Sequence, residues 1–382
     1  MTQSSQIFYP KQAVICAYAR SAFTPAYKGA FAKVRPDDLV VGVVQGLLAK
    51  LPKSQLNHDD IEDLLLGCAF PEGEQGLNMA RLVVMLAGLP DCISGATINR
   101  FCGSSMEAVH IAAGKIALGA GEVFIAAGVE SMSRVPMTGF NPLPNPQLYA
   151  SRPQAYTNMG LTAEHVAKIC NVSRATMEEF AMLSQNKAAA ADFAAEIIAI
   201  NGVMQDGCLR PDTSLNALAE LKPAFLEGGL VTAGTASPLT DGAAAVLVAS
   251  EEYADVHGLP KLARIKAIAV AGVAPEEMGL APIKAAQKAM QRAGIVAQQI
   301  DVAEVNEAFA AQAIPCIAQI GLRAEVVNIH GGAIAIGHPL GATGARIVGK
   351  AAMLLHQGSG KYALATQCIG GGQGIATVLE RI

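Results

Sequence analysis

Four side chains in this sequence are of types that could share one reaction: Cys102, Asn306, His338 and Cys368. A cysteine that attacks a carbonyl needs a base to take its proton, donors for the oxygen that becomes negative, and a second proton carrier if a carbon is to leave. Each of the four stands where a strand-like run gives way to a glycine-rich turn or a helix, in TINRFCGSSMEAV (97–109), EVNEAFAAQ (304–312), NIHGGAIAIGHPLGATGAR (328–346) and QCIGGGQG (367–374). In doubly wound sheets ligands collect beyond the carboxyl ends of the strands, so the four turns could share one cleft. Taken singly, each has a bland explanation. A lone cysteine is usually core packing, and a histidine in Gly-His-Pro usually serves the turn. Carboxylates such as Glu130 and Glu307 beside turns usually accept backbone N–H groups, and His330 reads more readily as a turn or core residue than as a second catalytic histidine.

The elements around Cys102 sharpen its case. From Ser104 the apolar residues Met106, Val109, Ala113 and Ile116 recur at helical spacing. Ser104 and Glu107 fit the S-x-x-E capping box, which starts the helix just after Cys102. A thiol at a helix N-terminus is expected to have a lowered pKa, because free N–H groups and the helix dipole favour the thiolate. In the same way His338 is expected between a strand-like run and a helix beginning near Thr343. The six other cysteines, at 16, 68, 92, 170, 208 and 316, sit in apolar or unremarkable contexts and read as structural.

What positions these turns is an internal repeat. Leu56 and Ile61 match Ile295 and Ile300, both offset by 239 positions (295 − 56 and 300 − 61). The same offset places Cys102-Gly103-Ser104 on Gly341-Ala342-Thr343 and VFIAAG (123–128) on YALATQ (362–367). GIATVLE (374–380) follows at once in the second half, whereas its counterpart GAAAVLV begins only at Gly242. Two duplicated halves of alternating strand and helix are therefore expected, with 131–240 inserted in the first as a lid over a site between them. The organisation reads as 1–130 plus 241–258, an inserted 131–240, and 259–382.

With 382 residues, 52% of them hydrophobic, the chain can bury a large core and is not a disordered protein. A net charge of −4 gives no reason to expect nucleic-acid binding. Absence of C-x-x-C and H-x-x-x-H spacing argues against zinc, and the chain is long for a disulfide framework. No metal is expected. The start MTQSSQIFYPK lacks a secretory h-region, LERI is not a peroxisomal address, and no apolar run is long enough to span a bilayer; the cytoplasm is the expected location.

Together NRFCGSSMEAV, GVESMS, NEAF, GGAIAIGHPLGATGAR and CIGGGQG resemble the thiolases, in chain order and over essentially the whole length. The resemblance implies an α/β fold with a five-layer αβαβα core from two duplicated halves and an inserted loop domain. It implies acyl transfer through a Cys102 acyl-enzyme, with His338 as base and Cys368 as second acid and base. Asn306 would hold a water at one oxyanion site, and the N–H groups of Cys102 and Gly370 would form the other. CoA enters as co-substrate, with no further cofactor. The stretch 209–242 resembles the family's CoA-binding segment. It would place Arg210 near the nucleotide, Phe225, Ala233 and Leu239 along the pantetheine, and Ser237 on one of its amides; Met159 and Phe309 would neighbour the acyl or pantetheine tunnel.

Three departures stand out. Asn158 occupies a position often held by histidine in biosynthetic members, the linker NGVMQDGC before Arg210 is short, and His330 stands where the family commonly has asparagine. NRFCGSSM, NMGLTAE and LKPAF resemble the degradative 3-ketoacyl-CoA thiolases more closely. A short-chain acetoacetyl-CoA thiolase is the alternative within the chemistry, and a catalytically silent acyl-CoA carrier or structural subunit of a β-oxidation complex the alternative outside it. The family implies a homodimer or homotetramer, with a β-oxidation hydratase/dehydrogenase subunit as a further partner.

Overall fold

The computed structural model describes residues 10–52 and 54–382. Strands β1 (Ala13–Ser21), β2 (Ile61–Gly67), β3 (Ser94–Ile98), β4 (Val123–Ser131) and β5 (Thr240–Ser250) come from the first half. Strands β6 (Ala263–Gly272), β7 (Ile300–Val305), β8 (Tyr362–Ile369) and β9 (Gln373–Glu380) come from the second. Their hydrogen-bonded order is β3-β2-β4-β5-β1-β6-β9-β8-β7. In the first half β2 runs parallel to β3 and β4, while β5 is antiparallel to both β4 and β1. The second half repeats this pattern, with β7 parallel to β8, and β9 antiparallel to β8 and β6. Its counterpart of β3 is reduced to a bridge between Ala303 and Val327. The halves touch edge to edge through the pairs Val14–Arg264 and Ile15–Ala263 of β1 and β6.

Side-chain alternation separates the faces of these strands into three cores. On β4, Val123, Ile125, Ala127 and Val129 pack against helices α1 (Pro36–Ala49) and α2 (Met79–Leu86). Phe124 and Ala126 point the other way, onto α3 (Ser104–Ala117). On β8, Ala363 and Ala365 share that middle core, whereas Leu364 joins the core beneath α6 (Ala281–Ala293). The middle core also takes in Ile347, Val348, Ala351 and Leu355 of α8 (Leu340–Gln357). Helix, sheet, central helices, sheet and helix are thus stacked in five layers, a thiolase-like αβαβα arrangement within the α/β class. Strands buried on both faces must be apolar throughout, as VFIAAG (123–128) and AAAVLVA (243–249) are.

The central helices meet at their N-terminal ends. Ala345 N–H of α8 donates to Ser105 Oγ of α3 at 2.8 Å. Two glycines let these ends press onto the strand tips: a Cβ on Gly128 would lie 2.1 Å from Gly341 O, and one on Gly67 2.3 Å from Ser105 N. Cys102 and His338 both stand just before these abutting helix starts. Between β4 and β5 the chain leaves the sheet, with α4 (Met159–Ile169) and α5 (Arg174–Ala190) as its main helices. Ala163, Ala167, Met177 and Ala181 from this excursion pack with Phe309 and Cys368. The excursion therefore covers the turn that follows β7, the start of α7 (Ala310–Ile320) and the end of β8. Among the described residues, no helix is long and apolar enough to cross a membrane.

Candidate active site

Cys102 sits in a backbone bend that the sequence pattern does not announce. Phe101, just before it, has φ +42°, a left-handed conformation unusual for an aromatic residue. Ser104 holds the bend: its Oγ accepts Arg100 N–H at 2.9 Å and donates to Phe101 O at 2.6 Å. Glu107 pairs with Arg100 at 3.0 Å. The expected capping box is therefore not formed. Gly103 is the N-cap of α3 without any side-chain cap, because both candidate partners are engaged with the loop.

The thiol is not a resting thiolate either. Burial pushes Cys102 up to about 11, and the Glu130 charge adds to this, while the N–H groups of Gly370 and of Cys102 itself pull the other way. Loss of hydration outweighs the helix end, which corrects the expectation of a lowered pKa. Cys102 needs a base.

His338 is buried and has the form of one. The four residues before its turn, Ala333–Ile336, make a single helical turn rather than the expected strand, since Ala335 and Ile336 N–H groups both turn back to Gly332 O. The His338 N–H donates to Thr240 Oγ1 at 3.0 Å. Its Nδ1 lies 2.7 Å from Thr343 Oγ1, and that hydroxyl spends its one proton on Pro339 O at 2.9 Å. Thr343 must then accept from Nδ1–H, which leaves the lone pair on Nε2. Asn306 Nδ2 approaches this Nε2 at 3.3 Å as a donor, consistent with that tautomer. Burial, with the positive Arg346 nearby, pushes the imidazole down to about 3, so at neutral pH it is uncharged. Asn306 Oδ1 is buried without a partner. Such an atom suits a bound water or a polar substrate group.

Cys368 lies near the end of β8, and burial raises its thiol well above the ordinary range, the Cys102 charge adding to the effect. Links that sequence reading missed tie this strand and the start of β9 to the Cys102 loop. Gln367 Nε2 donates to Cys102 O, and Arg100 Nη1 donates to Gln373 Oε1 at 3.1 Å. Gly370 is flanked by Phe101 and Met159: a Cβ there would come 3.5 Å from the ring and 3.6 Å from Met159 Sδ. Thr240, Thr343 and Gln367 are common residue types in apolar runs. Only the Gly-His-Pro-x-x-x-Thr spacing, with the hydroxyl five positions on, hinted at one of them.

Other candidates fall elsewhere. Glu307 accepts from Ser184 Oγ at 2.6 Å and Asn328 Nδ2 at 2.7 Å, clipping α5 to the 328–334 loop. His330 lies edge-on to Phe193, 6.4 Å between centroids, beside the buried Arg20–Glu196–Lys350 group. Phe225 meets Phe309 edge to face at 5.8 Å, and Gly160 leaves room for its ring. Ser237 N–H donates to Ala308 O and Ala310 N–H to Thr235 O, both at 2.9 Å, which seats the 235–237 segment on the Phe309 turn. Phe225, Ala233 and Leu239 are exposed, while Met159 and Ser237 are half-buried. Met159 and Phe309 pack in the same apolar cluster as Cys368. Arg210 is exposed farther out, its backbone N–H held by Gln185 Oε1 at 2.9 Å. A separate cavity of about 660 Å³ outside α4, lined by Leu161, His165, Lys168 and Leu230, contains none of the four candidate catalytic residues.

Two family models match the chain: the thiolase N-terminal domain over residues 13–252 and the thiolase C-terminal domain over 259–381. The 3-ketoacyl-CoA thiolase of Saccharophagus degradans is 43% identical, covering 98% of this chain and 99% of its own length. That of Vibrio cholerae is 47% identical over 92% of this chain and 95% of its own. Among solved structures, human mitochondrial 3-ketoacyl-CoA thiolase in complex with CoA superposes with a TM-score of 0.89 at 32% identity, covering 97% and 98% of the two chains.

Proposed function

The chain belongs to the thiolase family, and on that premise we propose that it cleaves 3-ketoacyl-CoA with CoA, giving acetyl-CoA and an acyl-CoA two carbons shorter. The observations that carry the reading are a protonated Cys102 faced by the Gly370 N–H and a neutral His338 whose tautomer leaves the lone pair on Nε2, each just before one of two abutting helix starts. Cys102 Sγ attacks the 3-keto carbon as its proton passes to His338 Nε2. The C2–C3 bond breaks, its electron pair forms the enolate of acetyl-CoA, and Cys368 protonates that carbon. Cys368, now a thiolate, takes the proton of an incoming CoA thiol. The CoA sulfur attacks the acyl carbon, and Cys102 leaves and recovers its proton from His338.

Oxygen becomes negative twice, and two donor sets suit it. The N–H groups of Cys102 and Gly370 serve the acyl oxygen; His338 and a water on Asn306 serve the enolate. Removing one such donor costs about 3 kcal/mol, roughly a hundredfold in rate. CoA is a co-substrate here, entering past Arg210, Phe225, Ala233, Ser237 and Leu239 under the inserted 131–240 segment, with Met159 and Phe309 nearer the thioester. The degradative direction in fatty-acid β-oxidation, a cytoplasmic location, a homodimer or homotetramer, and association with a hydratase/dehydrogenase subunit complete the proposal. The relatives named 3-ketoacyl-CoA thiolase support its substrate class.

The test is CoA-dependent loss of 3-keto absorbance with acetoacetyl-CoA and with a ten-carbon 3-ketoacyl-CoA. Cleavage of the longer substrate is expected. Cleavage of acetoacetyl-CoA alone would replace the reading with a short-chain one, and cleavage of neither would remove it.

A further inference from the structure

Glu130, at the end of β4, is a fully buried carboxylate that the proposed reaction does not use. Its neighbours come from two segments distant in the chain, 68–75 and the start of α8. Oε2 accepts the N–H of Ala69 at 2.8 Å and that of Gly341 at 2.9 Å. Oε1 accepts from Gln75 Nε2 at 2.7 Å and, more loosely, from Phe70 N–H at 3.4 Å. The Cys68 thiol lies 3.8 Å from Oε1. Gln75 cannot turn its carbonyl toward Glu130, because that oxygen already accepts Ser131 N–H at 2.6 Å. Every one of these polar neighbours is a donor, so the group is held as a carboxylate although burial opposes the charge.

Among the described residues, no cation pairs with it. A buried carboxylate without a cation is expensive by several kcal/mol, and a neutral amide would cost less if only packing were at stake. The place of the charge suggests its use. Gly341 lies in the first turn of α8, a helix whose N-cap, Pro339, offers no capping side chain. Glu130 supplies that cap from the other half of the molecule, against the positive end of the helix. His338 precedes that end, and Phe70, on the same loop as Ala69, packs 5.9 Å from the ring of Phe101 beside Cys102.

We propose that Glu130 is a positioning residue for the thiolytic reaction. It clamps the His338 loop of the second half to the Cys102 side of the first, and its fixed negative charge disfavours a free Cys102 thiolate. The proposal rests on the assignment of Cys102 and His338 made above. The titratable groups around it are Cys68 on the β2 loop and Cys102, with the N-terminus of α8 beside them, while the charge acting on His338 is that of Arg346; Gln75 contributes only its amide.

Two variants separate reach from charge. Glu130→Asp keeps the charge and withdraws it by one methylene; Glu130→Gln keeps the reach and removes the charge. With iodoacetamide and peptide mass readout on the full-length protein, the half-point of Cys102 alkylation is expected to move about one unit to lower pH in Glu130→Gln and to stay in place in Glu130→Asp. Turnover is expected to fall about 10- to 100-fold in both, with KM for CoA within threefold of the wild type, since small misplacement of reacting groups costs on that order. Wild-type kcat in Glu130→Asp would overturn the clamp. An unshifted alkylation profile in folded Glu130→Gln, with only the melting temperature lowered, would overturn the charge. Alkylation needs no acyl substrate, so failure of the wild type to cleave 3-ketoacyl-CoA would remove the functional reading while leaving the Glu130 charge tested.

Discussion

Thr343→Val removes a single oxygen from a side chain of nearly unchanged shape, and its consequence follows from the tautomer of His338. In the native site Nδ1–H donates to Thr343 Oγ1 at 2.7 Å, and Asn306 Nδ2 faces Nε2 at 3.3 Å. Valine leaves Nδ1–H buried without an acceptor, a cost of about 1–3 kcal/mol. The imidazole can escape by moving its proton to Nε2, but that sets two donors against each other at the Asn306 amide and removes the lone pair the reaction needs. Either route weakens the base by about 2–3 kcal/mol in the step where it becomes an imidazolium, which corresponds to roughly a 30- to 150-fold loss of kcat. KM for CoA should stay within threefold, because no proposed CoA contact is touched. Thr343→Ser keeps the hydroxyl and should remain within about threefold of the wild type. The assay is the initial rate of 3-ketoacyl-CoA cleavage at saturating CoA, with thermal melting as a check on the fold. A well-folded Thr343→Val enzyme within threefold of wild-type kcat would refute the tautomer argument.

Other outcomes follow from the same geometry. Cys368→Ala should still acylate Cys102 yet discharge it slowly, so intact-protein mass after mixing with 3-ketoacyl-CoA should show an accumulated acyl adduct; rapid discharge would remove Cys368 from the second half-reaction. His110 is buried with Nε2 2.8 Å from Thr377 Oγ1, and burial pushes it down to about 3. The unfolded chain then binds this proton below about 6.5 while the folded chain does not, so His110 removes stability as the pH falls through that range. Between pH 7 and pH 5 the loss is about 2 kcal/mol. Urea unfolding of His110→Gln should show a smaller loss over that interval by that amount, and an identical loss would contradict the assignment.

Much of the scaffold was legible because it is periodic. The 239-residue offset joined Ile61 to Ile300 and Val123 to Tyr362, and each pair opens equivalent strands of the two halves. The apolar runs marked strands buried on both faces, and the 3.6-residue spacing after Cys102 marked α3. What local pattern misjudged was decided by distant partners. Ser104 and Glu107 look like a capping box, but Arg100 and the bent Phe101 backbone claim them first. The helix end predicts a thiolate at Cys102, but burial beneath a separate part of the chain outweighs it. AIAI reads as a strand and coils because Gly332 collects its N–H groups. Thr240, Gln367 and Glu130 act across separations that only the folded topology closes. No spacing rule reaches from residue 130 to residue 341.

The most direct test of the central claim is to mix the protein with a ten-carbon 3-ketoacyl-CoA in the absence of free CoA and map the adduct by peptide mass. An eight-carbon acyl group on the peptide containing Cys102, released on adding CoA and absent in Cys102→Ala, is the predicted result. No adduct on Cys102, together with undiminished cleavage by Cys102→Ala, would contradict the account.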